Sequence, residues 1–252
     1  MVAEMKRIIG IVSGKGGVGK TVSTVNLGIA MSKFNKKVTL IDADVTASNL
    51  GLQLGLYSFP KTLQDVLSGK ARIENAIYEH RGLKIVPSSI SIGSIDTNMR
   101  RLKNIVKDLD GIILIDSPPG LSSDSLAVMD ACDEILVIAT PEIQTMANAV
   151  KVIHLAKEKK KRVLGIVINR YEEDRYELSD EDMITMAEVS IMGKVPEDHA
   201  VRKSLFEKIP LLDYEPSSKA AIEFKRLAAH LLNEKYEPPR FAFLSRLLDR
   251  FR

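Results

Sequence analysis

The 252-residue sequence contains a single cysteine, Cys132. One thiol cannot form an intrachain disulfide, so the chain reads as a protein of a reducing compartment, with Cys132 a small buried residue between Ala131 and Asp133. Histidine is nearly as sparse. His80, His154, His199 and His230 are scattered without metal-ligand spacing, which predicts neither a zinc site nor an iron–sulfur site. No run reaches the roughly 20 apolar residues of a membrane span, and the apolar stretch near the N-terminus is too short for a signal peptide. Together these absences predict a cytoplasmic protein. No internal linker rich in Pro, Gly or Ser divides the chain, and there is no repeat or low-complexity tract. A hydrophobic content of 45% is enough to fill one large α/β core. Net charge is only +3 and is placed unevenly: Arg240, Arg246, Arg250 and Arg252 against Asp249 give +3 to the last 13 residues, leaving residues 1–239 formally neutral.

What is present is organised around GKGGVGKT, residues 14–21. Ile8, Ile9, Ile11 and Val12 before it read as a buried strand, and residues 22–32 after it carry a helical pattern through Val22, Val25, Leu27, Ile29 and Ala30. Gly14, Gly16, Gly17 and Gly19 permit positive φ and close backbone approach, so successive N–H groups, that of Val18 among them, can curl around an oligophosphate at a helix N-terminus. Lys20 and Thr21 complete a P-loop, in which the lysine reaches the β- and γ-phosphates and the hydroxyl binds Mg²⁺. The motif predicts binding of ATP with Mg²⁺.

Strand and helix patterns alternate through the rest of the chain. Residues 37–41 read as a buried strand ending at Asp42-Ala43-Asp44, where a parallel sheet places ligand chemistry. Thr62 and Asp65 cap a short helix closed by Gly69, residues 73–78 suggest another, and 83–86 a short strand. Residues 97–107 read as an amphipathic helix with Met99, Leu102, Ile105 and Val106 inward. Strand 111–115 delivers Asp116, placed as a second carboxylate for the hydrated metal, followed by the constrained turn Pro118-Pro119-Gly120. Strands at 134–139, 163–168 and 191–195 and helices at 142–159 and 217–236 complete the body. The basic run Lys157, Lys159, Lys160, Lys161 and Arg162 reads as a solvated helix end favoured by the macrodipole, or as a DNA-binding patch.

Lys15, after the first glycine, makes the loop resemble the deviant P-loop of the MinD/ParA ATPases, and the resemblance extends through the VPED segment at residues 195–198 to the tail. It implies a P-loop NTPase fold: a doubly wound, mostly parallel sheet with helices on both faces. It also implies ATP hydrolysis used as a switch. By resemblance, Lys15 reaches the partner's phosphates across an ATP-dependent homodimer, Asp44 serves the attacking water, Asp42 the Mg²⁺ shell, Asn169 the adenine, and Pro196 and Asp198 the adenine-side loop. Val22 departs from the family, which commonly has a second threonine there; the backbone N–H is kept and a hydroxyl lost. The archaeal and bacterial MinD-like group fits best. A ParA-like DNA-partition ATPase is the rival, so nucleic acid is an alternative partner to membrane.

Residues 1–237 read as the ATPase domain and 238–252 as a tail. After Pro238-Pro239, Leu244, Leu247, Leu248 and Phe251 lie on one helical face with Phe241, and the arginines lie elsewhere. Such a helix docks on its own domain or dimer mate, or lies in the plane of an anionic membrane; the tail also resembles the membrane-targeting sequence of MinD. The expectation is a cytoplasmic protein, peripheral at the inner face of the cell membrane when ATP-bound, that works with an activating or cargo protein.

Overall fold

The computed structural model describes residues 6–89 and 97–238. Eight strands, β1 (Arg7–Val12), β2 (Val38–Asp42), β3 (Tyr78–His80), β4 (Leu83–Val86), β5 (Ile112–Asp116), β6 (Glu134–Ala139), β7 (Arg162–Tyr171) and β8 (Ile191–Pro196), form one sheet. Their order is β3-β4-β2-β5-β1-β6-β7-β8, and every pair is parallel except β3 with β4.

Alternation along each strand divides the core into two layers. Ile8 and Val12 of β1, Ile113 and Ile115 of β5, and Ile135 and Val137 of β6 join one apolar cluster. Their neighbours Ile9, Ile11, Ile112, Leu114, Leu136 and Ile138 join the other. Both faces of the central strands are therefore apolar, as a sheet covered on both sides requires, and each fully buried Ile or Leu contributes about 1.5–3 kcal/mol. Helices Lys20–Lys33 and Lys219–Leu232 cover the second cluster. Helices Ser123–Ala131, Ile143–Glu158 and Asp180–Ala187 cover the first, with the short helix Leu63–Leu67. This is the doubly wound arrangement that the sequence implied. Cys132 is buried and unpaired, and it packs where a Cβ on Gly10 of β1 would lie 2.8 Å from its Sγ.

Several expectations need correction. Residues 73–78 do not form a helix of their own: one 3-10 turn, Ile73–Ala76, leads into the edge strand β3, because Tyr78 is drawn back to bond the Lys61 backbone through its hydroxyl. Residues 97–107 break into Met99–Arg101, Leu102–Ile105 and Val106–Asp108, although Met99, Leu102 and Val106 still point inward. β7 runs on to Tyr171. Helices Ser123–Ala131 and Asp180–Ala187 were not anticipated; the first is buried around most of its circumference and so shows no single apolar stripe. The tail expected at 238–252 lies, from residue 239 onward, outside the described residues, and no helix among those described is long and apolar enough to cross a membrane.

β1 lies between β5 and β6 and the chain leaves it in both directions, so the carboxyl ends of β1, β2 and β5 open at the switch point of the sheet, where doubly wound folds bind ligands.

Candidate functional site

The predicted P-loop crosses that switch point, from Ser13 at the end of β1 to Lys20 at the start of its helix. Gly17 and Gly19 have φ of 81° and 88°, the left-handed region that glycine adopts without penalty. Among the described residues, none of the amides from Gly16 to Val22 bonds a protein acceptor. These donors, at the positive end of a 14-residue helix, fit an oligophosphate. Ser13 braces the loop from below: its Oγ donates to the Lys15 carbonyl at 3.0 Å, and its own carbonyl accepts from the Gly120 N–H at 2.9 Å. Lys15 is exposed, and no described carboxylate pairs with it.

Beneath the loop lies a buried cluster. Asp42 and Asp116 are register partners at the ends of β2 and β5 and are 0% and 1% exposed. Thr21 Oγ1 donates to Asp116 Oδ2 at 2.6 Å, Lys20 Nζ lies 3.3 Å from Oδ1, and Thr24 Oγ1 lies 3.4 Å from the same oxygen. Burial pushes the Asp116 carboxyl up, against the opposing effects of the Lys20 charge and the bonds from Thr21 and Lys20. Asp42 accepts from Ser48 Oγ (2.8 Å) and from the amides of Leu50 and Asp44 (both 3.2 Å). Burial first, and the charge of Asp116 second, raise its carboxyl to about 7. Two adjacent buried carboxylates with a threonine hydroxyl form a hard oxygen donor set that suits Mg²⁺.

Asp44 is 7% exposed; its Oδ1 accepts from Thr46 Oγ1 and the Ala47 N–H at 3.0 Å each, and Oδ2 accepts from no described residue. Asp44, Asn49 and Pro119 line a cleft of about 620 Å³ together with Gly16, Gly17, Gly19, Lys20, Thr21 and Val22. The far wall is Tyr57, Arg170, Leu205 and Lys208, which the sequence did not mark: these residues are more than 100 positions apart at their extremes and meet only in the fold. Thr24 was also missed, although its place one helical turn after Lys20 was a usable signal. Asn169 is 7% exposed and its Nδ2 donates to the Val18 carbonyl at 2.7 Å. Pro196 ends β8. Asp198 caps the next helix, with Oδ1 accepting from Ala200 N–H and Oδ2 from Ala220 N–H, so its carboxylate is engaged by two helix starts. Gly14 and Val18 belong to the loop, with Val18 buried in the second core cluster.

The basic run at 157–162 is partly paired, with Lys160 exposed and in no ion pair among the described residues. Lys157 pairs with Glu188, Lys159 with Asp130 and Arg162 with Glu134, while Lys161 Nζ donates to the carbonyls of Asp130 and Cys132.

Residues 9–211 match the family described as the CobQ/CobB/MinD/ParA nucleotide binding domain. The chain is 38% identical over 242 residues to an uncharacterized ATP-binding protein of Methanocaldococcus jannaschii, covering 94% of this chain and 92% of that one. Among solved structures it resembles the septum site-determining protein MinD of Pyrococcus horikoshii complexed with Mg-ADP, with a TM-score of 0.86 and 36% identity over 90% of this chain and 96% of that one. It also resembles the MinC:MinD cell division protein complex of Aquifex aeolicus, with a TM-score of 0.82 and 28% identity over 93% of this chain and 99% of that one.

The Asp42 carboxyl sets a pH dependence of stability. Its value in the fold, about 7, lies above the ordinary 3.8, so between these pH values the folded chain holds a proton that the unfolded chain releases, and unfolding free energy falls as pH rises through that window. In Asp42→Asn this part of the slope should vanish, and at pH 8 without ligand the variant should exceed the parent by on the order of a few kcal/mol. Urea unfolding at pH 5 and pH 8 checks this; parent and variant with equal slopes would mean that Asp42 is ionised in the fold throughout.

Proposed function

The chain belongs to the CobQ/CobB/MinD/ParA family of nucleotide-binding proteins, and from that membership we propose that it is a MinD-like ATPase. In this reading ATP binding and hydrolysis switch it between a monomer and a membrane-associated dimer that positions the division site or another cargo. The observation that carries the reading is the convergence of Lys20 and Thr21 on buried Asp116 beneath a loop that leaves Lys15 exposed.

The donor set described above suits both ATP and Mg²⁺, which when bound supply the transferable phosphoryl group and the charge that stabilises its transfer. Gly14 to Thr21, with the Val22 amide, would hold the phosphates, and Thr21, Asp42 and Asp116 the hydrated metal. Asp44, with Oδ1 fixed by Thr46 and Ala47, has Oδ2 to orient and accept a proton from the attacking water. Asn169, Pro196 and Asp198 would serve the adenine side, as the resemblance implies. Lys15, without an internal partner, is the residue suited to reach a second copy's phosphates across the dimer.

Membrane attachment is assigned to residues 240–252 and follows from their composition. The chain would then be cytoplasmic and peripheral at the inner membrane face when ATP-bound. The Aquifex complex, in which a MinD is paired with MinC, supports a protein partner as activator or cargo. Pairing of Lys157, Lys159 and Arg162 with Glu188, Asp130 and Glu134 engages part of the basic run, and the excess positive charge of the chain lies in residues 240–252, which favours the membrane reading over the DNA-partition one.

Lys20→Ala should abolish ATP binding, whereas Lys15→Ala should retain binding but lose the ATP-dependent dimer and the hydrolysis that needs it. Calorimetric titration with steady-state phosphate release separates the two, and full turnover in Lys15→Ala would refute the assignment of Lys15.

The tail follows a different arithmetic. Its three Phe and three Leu offer several kcal/mol at about 25 cal/mol per Å² of apolar area, much of it offset by ordering, so one tail binds weakly. Two tails on a dimer raise avidity by on the order of 10² without a new contact, and arginines add a salt-sensitive attraction to anionic lipid. Sedimentation with anionic vesicles should require Mg-ATP, fall at high salt and disappear on deletion of 240–252, while vesicle-free ATPase activity survives. Loss of nucleotide binding on that deletion would make the tail structural instead.

A further inference from the structure

Asn169 stands near the carboxyl end of β7 on the face that the P-loop helix covers: Val167, two residues earlier, packs into the cluster that holds Val18 and Val25. Just past it the pairing of β7 with β8 slips, and Arg170 takes a left-handed backbone with φ of 58°. Such bulges re-aim neighbouring side chains, and a bulky residue adopts this conformation only when its surroundings impose it. The contact secured here is the bond from Asn169 Nδ2 to the Val18 carbonyl. Packing is so close that a Cβ on Gly19 would lie 2.2 Å from the same nitrogen. Asn169 Oδ1 accepts no hydrogen bond from the described residues.

We infer that Asn169 is a positioning residue of the phosphate loop: it holds the Val18–Gly19 peptide in the orientation that turns the Gly19 N–H toward the phosphates. The inference rests on the nucleotide-binding reading above and adds a mechanical link between β7 and the phosphate loop. In a planar trans peptide the C=O and the following N–H point in opposite directions. A Val18 carbonyl pinned against Asn169 therefore aims the Gly19 amide away from it, into the cleft that Gly19 lines. Gly19, free to adopt many backbone angles, has no side chain to hold that turn by itself. The bond also settles the amide flip. A carbonyl can only accept, so Nδ2 must face Val18 and Oδ1 the other way.

The test uses the full chain and separates base from phosphate. Affinities for Mg-ATP and Mg-tripolyphosphate, which has no base, are measured by displacement of a fluorescent ADP analogue from the parent, from the near-isosteric Asn169→Leu and from Asn169→Ala. Unfolding midpoints are measured on the same samples. Both variants should lose about tenfold in tripolyphosphate affinity, the scale of one buried hydrogen bond, with midpoints within a few degrees of the parent's. A merely structural asparagine would lower the midpoints and leave the affinity of the folded fraction unchanged. Tripolyphosphate affinity equal to the parent's in either folded variant, with ATP alone weakened, would make Asn169 a base reader only and overturn the inference. A parent that binds neither ligand would overturn the nucleotide-binding reading itself, an outcome distinct from the first.

Discussion

The Asp116 carboxylate is the point on which the site depends. It is buried at the end of β5, and burial of a carboxylate is unfavourable unless charge and hydrogen bonds compensate it. Lys20, Thr21 and Thr24 provide that compensation, and all three come from the first two turns of one helix. The helix therefore cannot rotate or slide without stranding a charge. Because β2 and β5 pair in register, Asp42 is placed beside Asp116 by the same sheet. A metal held by these carboxylates would need no separate scaffold; it would use the strand ends that already fix the fold.

Three connections tie the surrounding loops to this centre. The loop after β2 is knotted through Asp42, which accepts from Ser48 and Leu50, while Ser48 and Ser88 join it to the end of β4. The loop after β5 is tied to the P-loop by the bond from Gly120 to Ser13. β7 reaches the same loop through Asn169 and Val18. A ligand that engages Lys20, Thr21 and the two carboxylates would act on the anchors of all three segments at once. Loops held by a few hydrogen bonds beside a rigid core are the elements that ligand-driven switches move.

The sheet was legible in the sequence because its strands are short apolar runs bounded by Gly, Asp and Pro, and the phosphate loop because its glycines and Lys-Thr stand between strand and helix. Asp42, Asp44 and Asp116 were visible as the residues that end such runs. Register was not visible: that Asp42 and Asp116 lie side by side follows from β5 inserting between β1 and β2. Helix Ser123–Ala131 escaped because it is buried on most sides, and residues 73–78 because Tyr78 is fixed by the distant Lys61. The cleft wall of Tyr57, Leu205 and Lys208 has no local signature, since none of these residues differs in its neighbourhood from an ordinary surface position. Asn169 was found by resemblance, but its bond to Val18 could not be read from either segment alone.

The central claim is that this site reports the presence of a γ-phosphate as a change of association state. It is tested most directly by sedimentation velocity of full-length Asp44→Ala, in which hydrolysis should be very slow, in Mg-ATP and in Mg-ADP at equal protein concentration. The account predicts a dimer in Mg-ATP and a monomer in Mg-ADP. The same mass in both nucleotides, whether monomer or dimer, would contradict it.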